Sequence, residues 1–443
     1  MKVVLCLHHF LPEFVGGTEI YTFNLAKQLM QQNIEVAVVI PNLGVGSTEE
    51  YYYEGVRVIK YAENSVEDRA MILGKKKPNG IKLFGELLGK EQPTLVHFHE
   101  LAPGRGISIF HVGKAYELKI PVVITFHVPF YTCFKGSLIY KEDTKCDGEI
   151  KIGKCTACVY QQKGIIGLKG FLFNKVSMGL YSLHINSTDL NSKLGTALGL
   201  PYVISKIKKD LVKLSSFAER IVVIAGWYQQ VLERNKVPAQ KITFIKQGLP
   251  VKGNNEIKSI EENLPIRVVY MGRITQLKGL HLLIDAILQL PSSSISLTIY
   301  GLETPDPYVL TCKEKTKNVG NIFWRGRIAP SEVISAFSEY HLLCLPSAFE
   351  MSPLVIQEAF AAGIPVLASD VYGNAEQIKD GINGWLFRFN DSEDLRNKLK
   401  ILIDDPSLIA KTKKHLPGVN TFENVANDHL KLYDSIIQNY KAH

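Results

Sequence analysis

The stretch F-E-M-S-P-L-V-I-Q-E-A-F-A-A-G-I-P-V-L-A-S, residues 349–369, carries more information than any other part of this 443-residue chain. Its pattern predicts a loop, a helix that begins at Pro353, and then a buried strand. Ser352 is a favourable N-cap, and proline costs nothing at the first helical position because that N–H has no partner within a helix. The N–H groups of Leu354 and Val355 then point out of the helix N-terminus, where a phosphate can bind.

Two glutamates flank this helix start, with seven residues between them. Glu350 lies just before it and Glu358 lies on the second turn, so both carboxylates can reach one anionic ligand that is rich in hydroxyl groups. A chain with 43 acidic residues contains many such pairs by chance. The run A-F-A-A-G-I-P-V-L-A-S that surrounds the second glutamate makes the motif specific.

Length and composition indicate a globular protein of two domains. A chain of 49.6 kDa is too long for one ordinary core, and 46% apolar with 21% charged residues is not typical of disorder. No apolar run is long enough to span a membrane. The N-terminal M-K-V-V-L-C-L-H-H is better interpreted as a strand than as a signal peptide, so we expect a cytoplasmic protein.

Positive charge is concentrated in the first part of the chain. Residues 1–250 hold 31 basic and 21 acidic residues, whereas residues 251–443 hold 20 and 22. A basic N-terminal half could contact anionic lipid headgroups at the inner face of the plasma membrane, or it could be a solvated lysine-rich surface without a partner. No nucleic-acid-binding motif accompanies the basic residues, which excludes a nucleic-acid partner.

Short apolar runs alternate with helical patterns, which predicts βαβ units and parallel sheets. Strands of the first series are expected at 3–7, 35–40, 94–99, 121–126, 184–187 and 220–225. Strands of the second series are expected at 267–271, 296–300, 321–324, 342–346, 365–369 and 385–387. Helical patterns include 19–31, 107–117 and 421–441, and a polar linker lies near 248–264. No G-x-G-x-x-G follows the first strand, which counts against a dinucleotide cofactor.

A second motif, G-R-I-T-Q-L-K-G-L at 272–280, directly follows the first strand of the second series. Open α/β sheets bind ligands in loops at the carboxyl ends of their strands. Gly272 opens this loop, and Arg273 and Lys278 place two cations in it, suited to a diphosphate. An ordinary solvated loop is the alternative.

Two further loops of the first half follow predicted strands. Gly16 and Gly17 precede a helix that Thr18 can cap, and they allow either close approach to a ligand or a tight turn with positive φ. His127 follows the strand at 121–126. A lone histidine is more often structural, so its position alone does not decide its role.

Four of the seven cysteines cluster with gaps of twelve, eight and two residues, and they are Cys133, Cys146, Cys155 and Cys158. Four thiolates can bind a structural zinc ion, which would compensate for the low apolar content of the segment at about 130–160. Free thiols and a redox pair are the alternatives.

These motifs together resemble the retaining glycosyltransferases of family 4. The paired glutamates, the G-R then K-G spacing and the T-x-H context all resemble that family, although Val128 replaces the usual Asp after the histidine. The loop P-E-F-V-G-G-T-E at 12–19 is similar to the family's P-x-x-G-G-x-E. The resemblance implies a GT-B fold, in which two Rossmann-like domains with parallel sheets face an interdomain cleft. It also implies an acceptor-side domain at 1–250, a nucleotide-sugar-binding domain at 264–420 and a C-terminal helix at 421–443 that crosses back.

The resemblance implies transfer of a hexose-type sugar from a UDP- or GDP-sugar to a hydroxyl acceptor, with retention and without a metal or other catalytic cofactor. The resemblance implies catalytic roles for His127, Arg273, Lys278 and Glu350. Donor-binding roles fall on Gly16, Gly17, Gly272, Arg273, Lys278, Leu354, Val355 and Glu358. A lipid-linked glycan for a surface polysaccharide or glycolipid is the acceptor class implied. A nucleotide-sugar epimerase on the same fold and a non-catalytic partner in glycan assembly remain alternatives.

Overall fold

The structure, a computed structural model, describes residues 1–63, 68–99, 101, 106–250 and 265–441. The chain divides into two compact units. The first unit comprises Met1–Glu142, Cys146–Lys246 and Phe422–His443, and the second comprises Asp143–Lys145 and Gln247–Thr421. The linker expected at 248–264 falls for the most part outside the described residues.

The first unit is built on an eight-stranded sheet with the order β10-β9-β6-β5-β1-β2-β4-β3. These strands are β1 Lys2–Cys6, β2 Glu35–Leu43, β3 Glu49–Tyr53, β4 Val56–Glu63, β5 Leu95–Phe98, β6 Val122–Phe126, β9 Arg220–Val223 and β10 Ile242–Phe244. All pairs are parallel except β3 with β4, which are antiparallel at the edge. Two-residue strands β7 Ile139–Tyr140 and β8 Thr144–Lys145 form a separate small sheet.

Two predictions about this sheet need correction. The apolar run at 184–187 is not a strand: it is a turn that leads into a 3-10 helix at Ser187–Asp189. The carboxamide oxygen of Asn186 accepts a hydrogen bond from the N–H of Thr188, a local bond that competes with strand pairing. Strands β3 and β4 were not predicted. Residues 49–53 of β3 are mostly polar or exposed and carry little hydrophobic signal, whereas β4 is largely buried and its apolar pattern V-R-V-I-K-Y-A was missed.

The helices between β1 and β10 are α1 Gly17–Gln31, α2 Arg69–Ile72, α3 Ile81–Glu91, α4 Ile109–Glu117, α5 Ile152–Gln162, α6 Gly167–Ser182, α7 Lys193–Leu198, α8 Leu200–Phe217 and α9 Gly226–Arg234. Helices α1, α3, α4 and α9 pack against strands of the first sheet. The predicted helices at 19–31 and 107–117 are confirmed with small shifts at their starts. Such shifts are expected because helix ends are set by local capping.

The second unit has a six-stranded parallel sheet with the order β13-β12-β11-β14-β15-β16. Its strands are β11 Ile266–Met271, β12 Ile295–Tyr300, β13 Ile322–Gly326, β14 Leu342–Leu345, β15 Val366–Ser369 and β16 Gly384–Phe387. Every strand predicted for the second series is present. The α/β class with two Rossmann-like parallel sheets is therefore confirmed.

Helices pack on both faces of the second sheet. They are α10 Leu280–Ile287, α11 Pro307–Thr316, α12 Val333–Phe337, α13 Leu354–Ala361, α14 Tyr372–Gln377, α15 Ser392–Asp404 and α16 Ser407–Lys413. Alternate residues of β11 point to opposite faces. Val268 packs in the core that includes α10, whereas Val269 packs in the core that includes α13. Burial on both faces explains why these strands appear as continuous apolar runs.

The final helix, α17 Phe422–Lys441, belongs to the first unit, where it packs against α1. Its buried His429 lies within hydrogen-bonding distance of the hydroxyl of Tyr21 on α1, with 2.9 Å between Nε2 and the hydroxyl oxygen. Within the described part of the chain, no helix is long and apolar enough to cross a membrane.

Candidate active site

The second unit gathers its site residues where the strand order reverses. Strands β11 and β14 are neighbours in the sheet, yet β12 and β13 separate them along the chain. Ligands of open parallel sheets bind at this kind of switch point, outside the carboxyl ends of the strands. The loop after β11 and the loop after β14 are joined directly, because the N–H of Ala348 donates to the carbonyl of Leu277 at 2.7 Å.

Lys278 and Glu350 form an ion pair across these two loops. The Nζ of Lys278 lies 2.5 Å from Oε1 of Glu350, and their side chains are only 21% and 11% exposed. Such shielding from water strengthens the attraction between the two charges. The backbone of Glu350 is also held, since its carbonyl accepts a hydrogen bond from the N–H of Gly373 at 3.1 Å.

Arg273 lies in the same loop as Lys278, but its side chain is more exposed to solvent. The side chain is exposed and forms no ion pair with any residue that the structure describes. The loop beneath it is fixed, because the hydroxyl of Tyr270 donates to the carbonyl of Arg273 at 2.7 Å and the N–H of Gly272 donates to Tyr300 at 3.1 Å. The guanidinium is therefore available to an anion at a defined position.

Gly279 is required for the two loops to approach each other. Its φ is +70°, and a Cβ at this position would lie 2.0 Å from the carbonyl oxygen of Pro346. Only glycine combines this conformation with such a close backbone contact. The K-G spacing of the motif therefore has a structural reason in addition to the position of Lys278.

Helix α13 begins one residue later than the sequence predicts. Its first residue is Leu354 and its N-cap is Pro353, with an extended ψ of 118°, so Ser352 is not the N-cap. The reason is that proline at this position already ends the preceding loop in an extended conformation, and no side chain caps the helix. The N–H groups of Leu354 and Val355 remain without intrahelical acceptors, as expected for the first turn.

Glu358 lies on the second turn of α13 and is partly buried. Burial penalises its charged form and raises the pKa of its carboxyl group to about 7. The two glutamates of the motif thus differ in environment. Glu350 is paired with a cation, whereas Glu358 is held close to the midpoint of its titration at neutral pH.

In the first unit, Gly16 and Gly17 follow β1 at the start of α1. Helix α1 begins at Gly17 with Gly16 as N-cap, so Thr18 lies inside the helix and is not the cap. Its carbonyl accepts a hydrogen bond from the side chain of Thr22 at 2.8 Å. Gly16 has an extended φ of −146° and Gly17 is not among the positive-φ residues, so a tight turn does not explain these glycines.

His127 follows β6 and belongs to a buried group of histidines that sequence patterns did not indicate. Its Nε2 lies 3.2 Å from Nδ1 of His99, and its ring contacts the ring of Tyr21 edge-on. Nδ1 and Nε2 of His97 lie 2.7 Å from the hydroxyl oxygens of Tyr433 and Thr125, respectively. The sequence signal was the alternation H-F-H at 97–99, at the end of β5, which points both imidazoles to one face.

Burial controls the protonation of this group. Desolvation lowers the pKa of His127 and of His429 to about 3, and it lowers the pKa of His97 and His99 well below the usual range, helped by the neighbouring imidazoles. All four rings are therefore neutral at physiological pH. His127 can exchange hydrogen bonds with a ligand but does not carry a positive charge.

The four clustered cysteines line one small cavity of about 30 Å³ in the first unit. All seven cysteines of the chain are free thiols. The Sγ of Cys158 accepts a hydrogen bond from the N–H of Lys141 at 3.4 Å. Among the residues that the structure describes, no group of three or more His, Cys, Asp or Glu side chains is arranged to hold a metal ion. The structure thus brings the four thiols together without setting them in a ligand geometry.

Comparison with known proteins gives matches to both parts of the chain. The model of the Glycosyltransferase Family 4 family matches residues 15–145, and that of Glycosyl transferases group 1 matches residues 253–416. The amylovoran biosynthesis glycosyltransferase AmsK of Erwinia amylovora is 27% identical over 217 residues, which cover 45% of this chain and 51% of that protein. The chain spans about half the length of the curated relatives that it matches first.

Known structures match over the whole chain. Sucrose-phosphate synthase of Thermosynechococcus elongatus has a TM-score of 0.66 and 17% identity, with 99% of both chains covered. HepE of Anabaena, in complex with UDP-glucose, has a TM-score of 0.59 and 13% identity, with 100% of both chains covered. At such identities the likeness shows the fold alone. Together with the two family matches, it shows that the chain belongs to the group 1, family 4 glycosyltransferases of GT-B fold.

Proposed function

We propose that this protein is a retaining glycosyltransferase that moves a hexose-type sugar from a nucleoside-diphosphate sugar to a hydroxyl group of an acceptor. The observation that carries the proposal is the set of groups around the reversal of strand order in the second unit. One exposed guanidinium, one ammonium held by a carboxylate, and one helix N-terminus occupy adjacent loops there. Each of these groups binds phosphate oxygens.

The diphosphate is the part of the donor that gains charge as the reaction proceeds. The bond between the anomeric carbon and the diphosphate oxygen breaks, and the electron pair leaves with the diphosphate. Arg273, Lys278 and the N–H groups of α13 would stabilise that charge in the transition state. The acceptor hydroxyl forms the new bond to the anomeric carbon and passes its proton to the departing diphosphate oxygen. Retention requires this bond to form on the face from which the diphosphate departs.

The two glutamates would bind different hydroxyl groups of the donor. Glu350 uses Oε1 for Lys278, which leaves its other oxygen to accept a hydrogen bond from the sugar. Glu358 would accept hydrogen bonds from the ribose. Because its pKa is about 7, this role requires loss of the proton that it carries for half of the time at neutral pH.

Residues of the first unit would contact the sugar and the acceptor. His127 is neutral, so it would position hydroxyl groups by hydrogen bonding rather than act as a cationic acid. Gly17 would let the ligand approach the backbone closely, and a Cβ there would meet no protein atom within 4 Å. This open space supports a ligand-related reason for glycine.

We expect transfer to proceed without a metal ion, since Arg273 and Lys278 supply positive charge to the diphosphate. Activity should survive excess EDTA. Loss of activity that magnesium or manganese restores would refute this part of the proposal.

The UDP-glucose complex of HepE and the name of the Erwinia relative support a UDP-sugar donor and a role in polysaccharide assembly, and we propose that this assembly takes place in the cytoplasm. A lipid-linked glycan at the inner face of the plasma membrane is the acceptor that we propose. An epimerase would convert the donor to an isomer with no acceptor present. A non-catalytic partner would show neither reaction.

We also propose that the four-cysteine cavity takes a structural zinc ion. A volume of about 30 Å³ exceeds that of one water-sized probe, and soft thiolates suit zinc. Binding would draw Cys133, Cys146, Cys155 and Cys158 into a tetrahedral arrangement and couple their order to the metal. Elemental analysis of protein purified without chelator should find one zinc per chain, and Cys155→Ser with Cys158→Ser should remove it.

The first experiment is thermal unfolding with a series of UDP- and GDP-sugars. A donor at a hundred times its Kd should stabilise the native state by about 2.7 kcal/mol. Arg273→Ala should abolish the shift, whereas Arg396→Ala on α15, whose guanidinium contacts Gln289 and Glu393, should retain it. Absence of a shift with every donor would argue against a transferase.

A further inference from the structure

Helix α6 exposes a row of large apolar side chains. Leu168, Phe171, Leu172 and Val176 of the helix, and Leu183 at its C-cap, are 54–74% exposed. Their spacing follows the helical repeat, so they share one face of the helix. Ile166 and Ile185, which are also more than half exposed, extend the row at its two ends. Exposed apolar groups that are contiguous in this way mark interaction surfaces.

The opposite face of α6 anchors the helix to its own unit. Ser177 is fully buried and shares a hydrogen bond with the hydroxyl of Tyr160 on α5. The ring of Phe173 packs edge-on against the ring of Tyr160, with 5.3 Å between the centroids. These contacts hold the helix in place, so its outer row of apolar side chains is not needed for the fold of the unit.

Positive charge surrounds this apolar row without any negative charge nearby in the sequence. Between Glu149 and Asp189 the chain contains no acidic residue. Lys169 and Lys175 are exposed on α6 and form no ion pair with a described residue. The ammonium of Lys175 lies over the ring of Phe171, 5.4 Å from its centroid. Cations are thus interleaved with the apolar side chains of the face.

A basic cavity of about 560 Å³ lies at the C-terminal end of α6. Tyr181 and His184 line it together with Lys75, Lys206 and Lys209. Lys75 and Lys206 are paired with Asp189 and Asp210, respectively, whereas Lys209 has no ion pair with a described residue. Asp210 also lines the cavity, so Lys209 is the lysine that the cavity offers to a phosphate-bearing headgroup.

We propose that the outer face of α6 docks on a membrane with anionic headgroups. The apolar row would enter the interface between headgroups and acyl chains, while the lysines and the basic cavity would contact phosphates. A second copy of the chain fits this face poorly, because a two-fold contact would set the lysines of both copies against each other. This proposal rests on the proposed function in one respect: docking on the membrane would bring the enzyme to a lipid-linked acceptor.

The test is co-sedimentation of the full chain with vesicles of phosphatidylcholine, with and without 30% phosphatidylglycerol as the anionic lipid. The wild type should bind the anionic vesicles. Leu168→Ser, Phe171→Ser and Leu172→Ser together should weaken binding at least tenfold. Lys169→Gln with Lys175→Gln should weaken it about fivefold per lysine at low salt. As a matched control, Leu302→Ser, Leu310→Ser and Ile401→Ser, which alter side chains of similar exposure in the second unit, should leave binding unchanged.

A second measurement reports how deeply the outer face of α6 enters the membrane. Phe171→Trp should be quenched by brominated acyl chains in anionic vesicles, and Leu310→Trp should not. The proposal is overturned if wild-type protein stays in the supernatant, or if the triple serine variant binds as well as wild type. It is also overturned if the same substitutions dissolve a dimer in sedimentation experiments without affecting vesicle binding.

Failure of the proposed function would be seen separately. The donor-induced thermal shift should be equal in wild type and in the α6 variants, because none of these residues lies in the second unit. If the protein binds vesicles but no donor raises its melting temperature, the proposed docking surface stands and the proposed transferase function is refuted.

Discussion

The two units place different chemistry at the carboxyl ends of strands in their parallel sheets. In the second unit, the residues after β11 and β14 are charged and in part accessible, and Lys278 and Glu350 pair across the two loops. In the first unit, the residues after β5 and β6 are histidines that are buried and neutral. A diphosphate is bound best by positive charge, whereas uncharged donors and acceptors are sufficient to bind the hydroxyl groups of a sugar. Under the proposed function, the charged loops of the second unit would bind the diphosphate, and the neutral histidines of the first unit would bind hydroxyl groups.

The contrast also shows how burial decides what a side chain can do. Lys278 and Glu350 form an ion pair with each other although both side chains are shielded from most of the water. In the first unit, His97 and His127 have hydroxyls and another imidazole as hydrogen-bonding partners among the described residues, and desolvation lowers the pKa of both rings. Each of the following predictions tests one side of this contrast.

The largest effect should be loss of stability of the first unit in acid. Its buried histidines with lowered pKa are His97, His99, His111, His127 and His429. Below about pH 6.5 the unfolded chain binds protons that the folded state excludes, so the free energy of unfolding falls as pH falls. Between pH 6.5 and 5.5 each histidine should contribute a loss of about 1 kcal/mol.

Urea unfolding at these two pH values measures this effect. Fluorescence of Trp227 reports on the first unit when Trp324 and Trp385 of the second unit are replaced by Phe. In the second unit, the raised pKa of Glu358 works in the opposite direction, because the folded state gains a proton there as pH falls below about 7. Equal acid sensitivity of both units would contradict the comparison.

The next largest effect should come from Lys278→Met. Removal of a charge that stabilises the leaving diphosphate should lower the rate of transfer by about 10²–10³-fold. It should also destabilise the protein by about 1–3 kcal/mol, because Glu350 would remain shielded without its cation. Adding Glu350→Gln should restore stability but not activity.

Lys315→Met is a matched control for this experiment. Lys315 pairs with Asp285 in the same unit at 2.6 Å, but both side chains are more exposed. Its loss should cost less than about 1 kcal/mol and leave transfer unchanged. Recovery of activity in the Lys278→Met, Glu350→Gln double variant would show that the cation has only a structural role.

The smallest effect concerns the pH dependence of donor binding. If the ribose binds only the ionised form of Glu358, a pKa of about 7 predicts a Kd about tenfold higher at pH 6 than at pH 8. Glu358→Gln should bind more weakly at pH 8 and show little change between the two values. Calorimetric titration with the donor measures both constants, and a pH-independent Kd in the wild type would contradict the role of Glu358.

The sequence predicted the second unit better than the first for a physical reason. Strands such as β11 and β14 are buried on both faces, so their apolar runs are unambiguous. In the first unit, β3 is mostly exposed and was missed, whereas the apolar run at 184–187 was taken for a strand although local side-chain bonds set it in a turn. Capping details at Thr18 and Ser352 were also wrong, because glycine and proline beside them determine where the helices begin.

What the sequence alone determined is local: the alternation of strands and helices, the loops that carry Arg273, Lys278 and Glu350, and the family that they resemble. Only the tertiary structure decided which loops meet. Strand order places β11 beside β14, so Lys278 contacts a carboxylate 72 positions away. The same holds for the histidines, since His97 and the tyrosine that it contacts on α17 are 336 positions apart. Local periodicity reports which face of an element is buried, but it carries no information about the partner against which that face packs.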